Sequence, residues 1–404
     1  MGDEYYLQPP ASQKFYRNMA NMMSFFSVGD REAWGYNKMN TIQHISSIIS
    51  LIFAPVCAIS QIVYFYLNYS ELSFDVMGII FTIFPATCLA NVSIYSSRFK
   101  TYKSISQNFL QKIHLYNIYE ESKDEFVKNK LIAMEKNTRW TSYYLIFFFV
   151  FAWFGWTFIA AVNNYNHKEL VLNHTVRLQT CLYIWMPFDY SYNYTNWFIL
   201  HLINGYTVLA GVSATMIFQS ISYMLLFNVI SHIHVLKNSL KINFKDGLSD
   251  QDVREKLRKL VEYHIFISKV FRDTELALGF NVAGNYLQNL FGNSVLLYQL
   301  MYGGRENMML YLTMLMAYTG GPILMSFVLE EIRRQTHDLP DVVYNIPWEK
   351  MSISNQKTVI LIIKRSQILM DFKALGGMKA GVGPMISILK TTFSYYVMLE
   401  STIS

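Results

Sequence analysis

Residues Gly376–Ser404 read GGMKAGVGPMISILKTTFSYYVMLESTIS. From Ala380 to Glu400 there are 21 residues, and a helix of about 20 residues crosses a hydrocarbon core. This is not a plain lipid anchor. Lys390, Thr391, Thr392, Ser394, Tyr395 and Tyr396 make one side polar. A membrane helix with a polar side packs in protein or touches water. The stretch is therefore expected to line a pore, and the rest of the chain bears on that.

The composition sets the class. The 404 residues are 52% hydrophobic and 15% charged, whereas soluble chains carry about one quarter charged residues. An all-α membrane protein follows. The N-terminal residues are polar, and the first apolar run begins near Thr41, so no cleavable leader is expected. Gly2 with Tyr6 is not a myristoylation pattern. Cys57 and Cys88 fall in apolar runs and Cys181 in a loop, so no disulfide is expected. The net charge of +6 is spread over loops, which suits orientation in a membrane rather than nucleic-acid binding.

Apolar run length gives seven spans, at about 41–67, 74–95, 139–163, 196–230, 276–301, 307–329 and 380–400. The fourth is too long for one crossing and should continue into water. A helical pattern resumes over 248–272, with Ser249 placed to cap it. The stretch 358–370 holds Lys364 and Arg365 and reads as an amphipathic helix at the cytosolic side. Gly303-Gly304 reads as a turn and Gly320-Gly321-Pro322 as a helix kink. The whole chain is expected to form one domain, with a cytosolic anchor from 231–275 and 330–379.

Lys and Arg set the orientation. The loop 97–138 holds eight and 233–274 holds nine, against none in 68–73 and two in 164–195. Basic loops stay cytosolic. The N-terminus is then inside and, with seven spans, the C-terminus outside. Glycosylation sequons at Asn68, Asn173 and Asn193 all fall in or beside loops assigned to the outside, whereas the sequon at Asn91 lies within a span.

Enzyme signals are weak. The histidines are scattered, and no H-E-x-x-H occurs. His232 and His234 are two apart and do not share a helix face. No enzyme activity, metal or cofactor is expected. The outer halves of spans 2, 3, 4 and 6 carry more. Met77, Ile80, Phe81, Phe84, Trp153, Phe154, Trp156, His201, Asn204, Tyr206, Leu209, Tyr311 and Met314 form a set suited to an apolar, aromatic small-ligand pocket. The competing reading for each is contact with lipid or an interfacial aromatic belt. His201, Glu306 and Glu400 are ionisable groups near the outer ends of spans. At the mouth of a pore, Glu400 would favour cations.

Lys390-Thr391-Thr392-Phe393-Ser394-Tyr395-Tyr396-Val397-Met398-Leu399 resembles the closing motif of insect odorant receptors, which commonly reads K-T-x-Y-S-Y-F-x-L-L. Gly376-Gly377 and Ile386-Ser387-Ile388-Leu389 match the segments before it. Tyr344-Asn345-Ile346-Pro347-Trp348 resembles the family's Y-N-x-x-W element. Phe393 and Tyr396 replace the commoner Tyr and Phe, and Ala380-Gly381-Val382-Gly383-Pro384 is a degraded form of the usual A-G-x-F-F-P, which blurs where the last helix starts.

The resemblance implies a ligand-gated, nonselective cation channel in the plasma membrane of olfactory sensory neurons. It implies an odorant-tuned subunit that joins a co-receptor in a heterotetramer, with the last span of each subunit lining the pore. The loop between spans 4 and 5 is shorter than the co-receptor's. Met398 matches the hydrophobic gate position and Ser401 a polar position beyond it. The partners implied are a small volatile odorant, the co-receptor, membrane lipid and permeating cations. The aromatic and aliphatic candidate walls, with few polar groups, suit a small volatile with one ester, alcohol or carbonyl oxygen. A G-protein-coupled receptor would place its N-terminus outside and carry D-R-Y and N-P-x-x-Y, which are lacking here. A gustatory receptor would close on Q-F. A transporter would need paired broken helices, and Pro55, Pro85 and Pro322 do not form matching halves.

Overall fold

A computed structural model describes residues 3–244, 248–302 and 308–403. Among them the regular structure is helical, apart from an isolated bridge between Lys373 and Lys379. In chain order the helices are α1 (Lys14–Phe25), α2 (Thr41–Asn68), α3 (Phe74–Ser96), α4 (Lys100–Asn108), α5 (Tyr116–Ser122), α6 (Glu125–Asn166), α7 (Lys168–Leu172), α8 (Tyr194–Ile242), α9 (Asp250–Tyr302), α10 (Met308–His337), α11 (Leu339–Tyr344), α12 (Ile353–Ser366) and α13 (Val382–Ile403).

Local signals set the starts. At α2, Asn40 accepts from the Gln43 N–H while Gln43 reaches back to the Asn40 N–H. This reciprocal pair closes two N–H groups that a helix start otherwise leaves open. Asp124 accepts from two N–H groups at the head of α6, and Asn193 does the same for α8. Ser249 caps α9, as its position suggests. The expected spans in 74–95 and 139–163 lie in α3 and α6. The over-long fourth run is part of the 49-residue α8. The two segments expected over 248–272 and 276–301 are one 53-residue helix, α9. Asp273 and Glu275 interrupt the apolar pattern but not the helix, because Arg272 pairs with Glu275 and the Lys373 N–H donates to it at 2.7 Å.

Among the described residues, five helices are long and apolar enough to cross a membrane: α2, α3, α6, α8 and α10. The other two expected spans are also helical, within α9 and α13, but carry more polar side chains. On α6, Phe147, Phe151, Phe154 and Phe158 are exposed at helical spacing, a lipid-facing stripe rather than a pocket wall. By contrast α8 is buried on every side from Ser213 to Leu226 and acts as the central post. Helix α9 packs along α3, α13, α10 and α8. Gly320-Gly321-Pro322 lies inside α10, which runs on to His337. Gly303-Gly304 falls outside the described residues. The amphipathic helix expected near 358–370 is α12, and Gly376 and Gly377, at φ +73° and +79°, make the left-handed turn that leads towards α13.

At the end of the bundle that carries the basic loops, α1 is tied down by a buried polar knot. The Tyr16 hydroxyl donates to Glu135 at 2.9 Å, and His114 Nε2 lies 3.1 Å from the same carboxylate. Arg139 pairs with Glu135 and donates to Gln13. Burial pushes the Glu135 carboxyl up, but His114 and Arg139 outweigh it and hold it below its ordinary value.

Candidate functional site

An apolar cavity of about 150 Å³ lies among α2, α3, α6, α8, α9 and α10. An apolar void of this size holds a benzene-sized molecule. Its aromatic wall comes from α6 and α8. Trp153, Trp156 and Tyr206 line it, with Met314 from α10. The indole N–H of Trp153 donates to the Gly205 carbonyl and that of Trp156 to the Cys181 carbonyl, both at 2.9 Å. Those bonds fix both ring planes against the space.

Of the side chains expected to line a pocket, these four do so. Phe84 is half-buried on α3 and outside the lining, and Phe81 is 48% exposed. His201 stacks on Trp197 at 4.7 Å, with Nδ1 3.7 Å from Cys181 Sγ. Leu209 lies in sequence between the lining residues Val208 and Ala210 without being a wall residue, and Tyr311 is buried in the packing beside the cavity.

The structure adds wall residues that the sequence reading left out. Ser50, Ala54 and Cys57 come from α2, and Asn285 and Gln288 from α9. Leu182 also lines the space. It belongs to the segment between α7 and α8, which folds inward as a plug. Leu178, Cys181, Leu182, Tyr183 and Ile184 are all buried there. Asn204 Nδ2 holds the plug by donating to Thr180 Oγ1 at 2.6 Å and to the Leu182 carbonyl at 2.9 Å. Trp197 Nε1 adds a bond to the Gln179 carbonyl at 2.7 Å. A plug of irregular chain needs its backbone groups satisfied in this way.

A polar row runs from the cavity along α9. Asn281, Asn285, Asn289 and Asn293 recur every four residues on one face and are all buried. Gln219 Nε2 on α8 donates to Asn285 Oδ1 at 3.1 Å. Four residues further on, the Thr392 hydroxyl of α13 donates to the Asn289 carbonyl at 3.3 Å, and Ser294 donates to the Thr392 carbonyl. Within a bilayer, apolar contact gives helices little reason to associate, so such hydrogen bonds and close packing decide which helices stay together.

Helix α13 shows two faces. Met385 and Thr392 are buried and Tyr396 half-buried, while Ile386, Phe393, Val397 and Met398 are exposed. Met398 is 52% exposed, and the Ser401 hydroxyl donates to its carbonyl. Glu400 accepts from the Tyr302 hydroxyl of α9 at 3.0 Å. Glu306 lies outside the described residues. The sequon residue Asn68 ends α2, with Nδ2 donating to the Tyr64 carbonyl; Asn173 and Asn193 are exposed.

Residues 76–393 match the family model described as 7tm Odorant receptor. The chain belongs to the odorant receptor family. The receptor is 22% identical over 291 residues to putative odorant receptor 85d of Drosophila melanogaster. That match takes in 71% of this chain and spans 65% of the length of that relative. Its fold is similar to that of the insect olfactory receptor OR5 from Machilis hrabei, at a TM-score of 0.73 and 14% identity, over 96% of this chain and 97% of that one. It is also similar to the structure of that receptor in complex with eugenol, at a TM-score of 0.70 and 14% identity. The receptor is an all-α, multi-pass membrane protein.

Proposed function

We propose that the receptor is the odorant-binding subunit of a heteromeric, ligand-gated, nonselective cation channel in the plasma membrane of olfactory sensory neurons. A small volatile enters the cavity walled by Trp153, Trp156, Tyr206 and Met314. Its binding favours one arrangement of α8 and α9 over another, and a ligand shifts such an equilibrium only by its differential affinity. The row of asparagines carries that preference to Thr392 on α13. The exposed face of α13, with Met398 at the gate and Ser401 and Glu400 at the outer mouth, lines a pore shared with co-receptor subunits. A ring of apolar side chains closes a pore by dewetting. The basic end, residues 231–275 and 330–379, is the cytosolic anchor through which subunits meet.

The observation that carries this reading is the continuous path from cavity to α13 through Gln219, Asn285, Asn289 and Thr392. The solved receptor of similar fold in complex with eugenol supports the ligand half of it. The test is patch-clamp of cells expressing the receptor with and without a co-receptor. Odorant-evoked cation current is expected only from the pair. Full currents from the receptor alone would overturn the heteromeric reading, and no odorant response from the pair across a broad panel of volatiles would overturn the receptor-channel reading.

A further inference from the structure

We infer that the cavity selects small apolar molecules that bring a hydrogen-bond donor, alcohols above all, and that Gln219 is the residue that reads the donor. This rests on the cavity being the ligand site.

A row of side chains fixes which way the Gln219 amide faces. Ser93 Oγ donates to the Leu89 carbonyl at 3.0 Å, so its oxygen is left to accept from Asn281 Nδ2 at 2.8 Å. Asn281 Oδ1 accepts from Asn285 Nδ2 at 2.8 Å. That same Nδ2 donates to the backbone carbonyl of Asn281 at 2.9 Å. A carbonyl only accepts, so the Asn285 amide has one possible orientation. Asn285 Oδ1 must then accept, and Gln219 must offer it Nε2, as it does at 3.1 Å.

The consequence falls on Gln219 Oε1. It is buried without a hydrogen-bond partner, on a residue 5% exposed that lines the cavity. It sits against Gly321 of α10, where a Cβ would stand 3.1 Å from it, so only glycine leaves the oxygen uncrowded. A buried acceptor left open is unfavourable, and a ligand that donates to it removes that cost.

Several lining donors are already committed elsewhere. The hydroxyls of Thr87, Thr207 and Thr215 each donate to a carbonyl one turn back. Both lining indoles donate to backbone carbonyls. Ser50 Oγ is the second unpartnered lining atom, and a hydroxyl serves in either role. An aldehyde, ketone or ester brings acceptors only. It accepts from the Ser50 hydroxyl or from the second hydrogen of Gln219 Nε2, and in either case leaves Oε1 open.

Cyclohexanol and cyclohexanone make the test, because they share ring and heavy-atom count and differ in the donor. The full chain in lipid nanodiscs is titrated with each, read by tryptophan fluorescence, since Trp153 and Trp156 line the cavity. Cyclohexanol is expected to bind about tenfold or more tightly than cyclohexanone. In Gln219→Leu, or the longer Gln219→Met, the ratio is expected to fall to about one, while continued cyclohexanone binding reports a folded cavity. Equal Kd values in the unaltered receptor overturn the donor rule and leave the cavity as ligand site. A ratio that survives both substitutions overturns the role of Gln219. If neither molecule changes the fluorescence, both the donor rule and the cavity reading fail.

Discussion

His232 shows how one buried side chain ties elements together at the basic end. Its Nε2 donates to the Ile113 carbonyl at 2.6 Å, so Nδ1 accepts from the Tyr263 hydroxyl at 2.8 Å. Burial, with a smaller push from His114, lowers its pKa to about 4 against an ordinary 6.5, although the bond to Ile113 works the other way. Above pH 6.5 the ring is neutral in both folded and unfolded chains, and its contribution is intact. As pH falls from 6.5 towards 4, the unfolded chain gains a proton that the folded one refuses. Stability then drops by about 1.4 kcal/mol per pH unit, to roughly 3 kcal/mol in all. His232→Gln keeps a donor and an acceptor but does not titrate. Its melting temperature is expected to fall less than that of the unaltered receptor between pH 7.5 and 5, and parallel curves would refute the assignment. The residue scale is also where sequence reading met its limit. Trp153 and Trp156 were legible as wall candidates because large aromatic side chains near the end of a span suit an apolar pocket. Leu182 was not, because irregular chain has no periodicity to show which side is buried. The asparagines at 281, 285, 289 and 293 were readable as a helical row, yet within an apolar run they look like ordinary interruptions.

At the scale of elements, polar bonds pin the junction between α9 and α13 alongside broad helix packing. Thr392 is 3% exposed and bonds to α9 through both its hydroxyl and its carbonyl. Thr392→Val keeps the shape and removes the hydroxyl's bond to Asn289. The loss is expected to be modest in stability, about 0.6 kcal/mol. Basal current from the receptor with its co-receptor should nevertheless shift, because this contact is where the proposed signal crosses. Unchanged basal current and odorant sensitivity would remove Thr392 from the path. Most elements were legible from run length: α2, α3, α6, α8 and α10 follow from the apolar pattern. The fusion of α9 was not, since charged residues end an apolar run without ending a helix. Glu275 stays helical and buried because Arg272 and the Lys373 N–H satisfy it. The short helices α1 and α4 hold to the rest of the chain through side chains such as Tyr16, bonded to Glu135, and Ser106, bonded by Trp34, whose partners lie far away in sequence.

For the molecule as a whole, the basic loops and the sequons divide the two ends of the bundle. An epitope tag at the C-terminus is expected to stain intact cells, while one at the N-terminus should need permeabilised cells. The reverse pattern would invert the topology and put Glu400 on the wrong side for an outer mouth. The fold class and family were legible in the closing motif and the spans; the cavity's full set of walls was not, because they come from six helices and a plug. One helix joins these parts. With 53 residues at about 1.5 Å each, α9 is a rod of about 80 Å. Only about 30 Å of that lies in hydrocarbon. One end of the rod is held by Asn355, whose amide donates to Asp250 at 2.7 Å, and the other touches Glu400 through Tyr302. Such a rod works as a lever: a tilt of about 3° about one end sweeps the other through about 4 Å. On the proposed function, a molecule no larger than a benzene ring, lodged part-way along, would need only a slight tilt to be felt at the tip of the last helix.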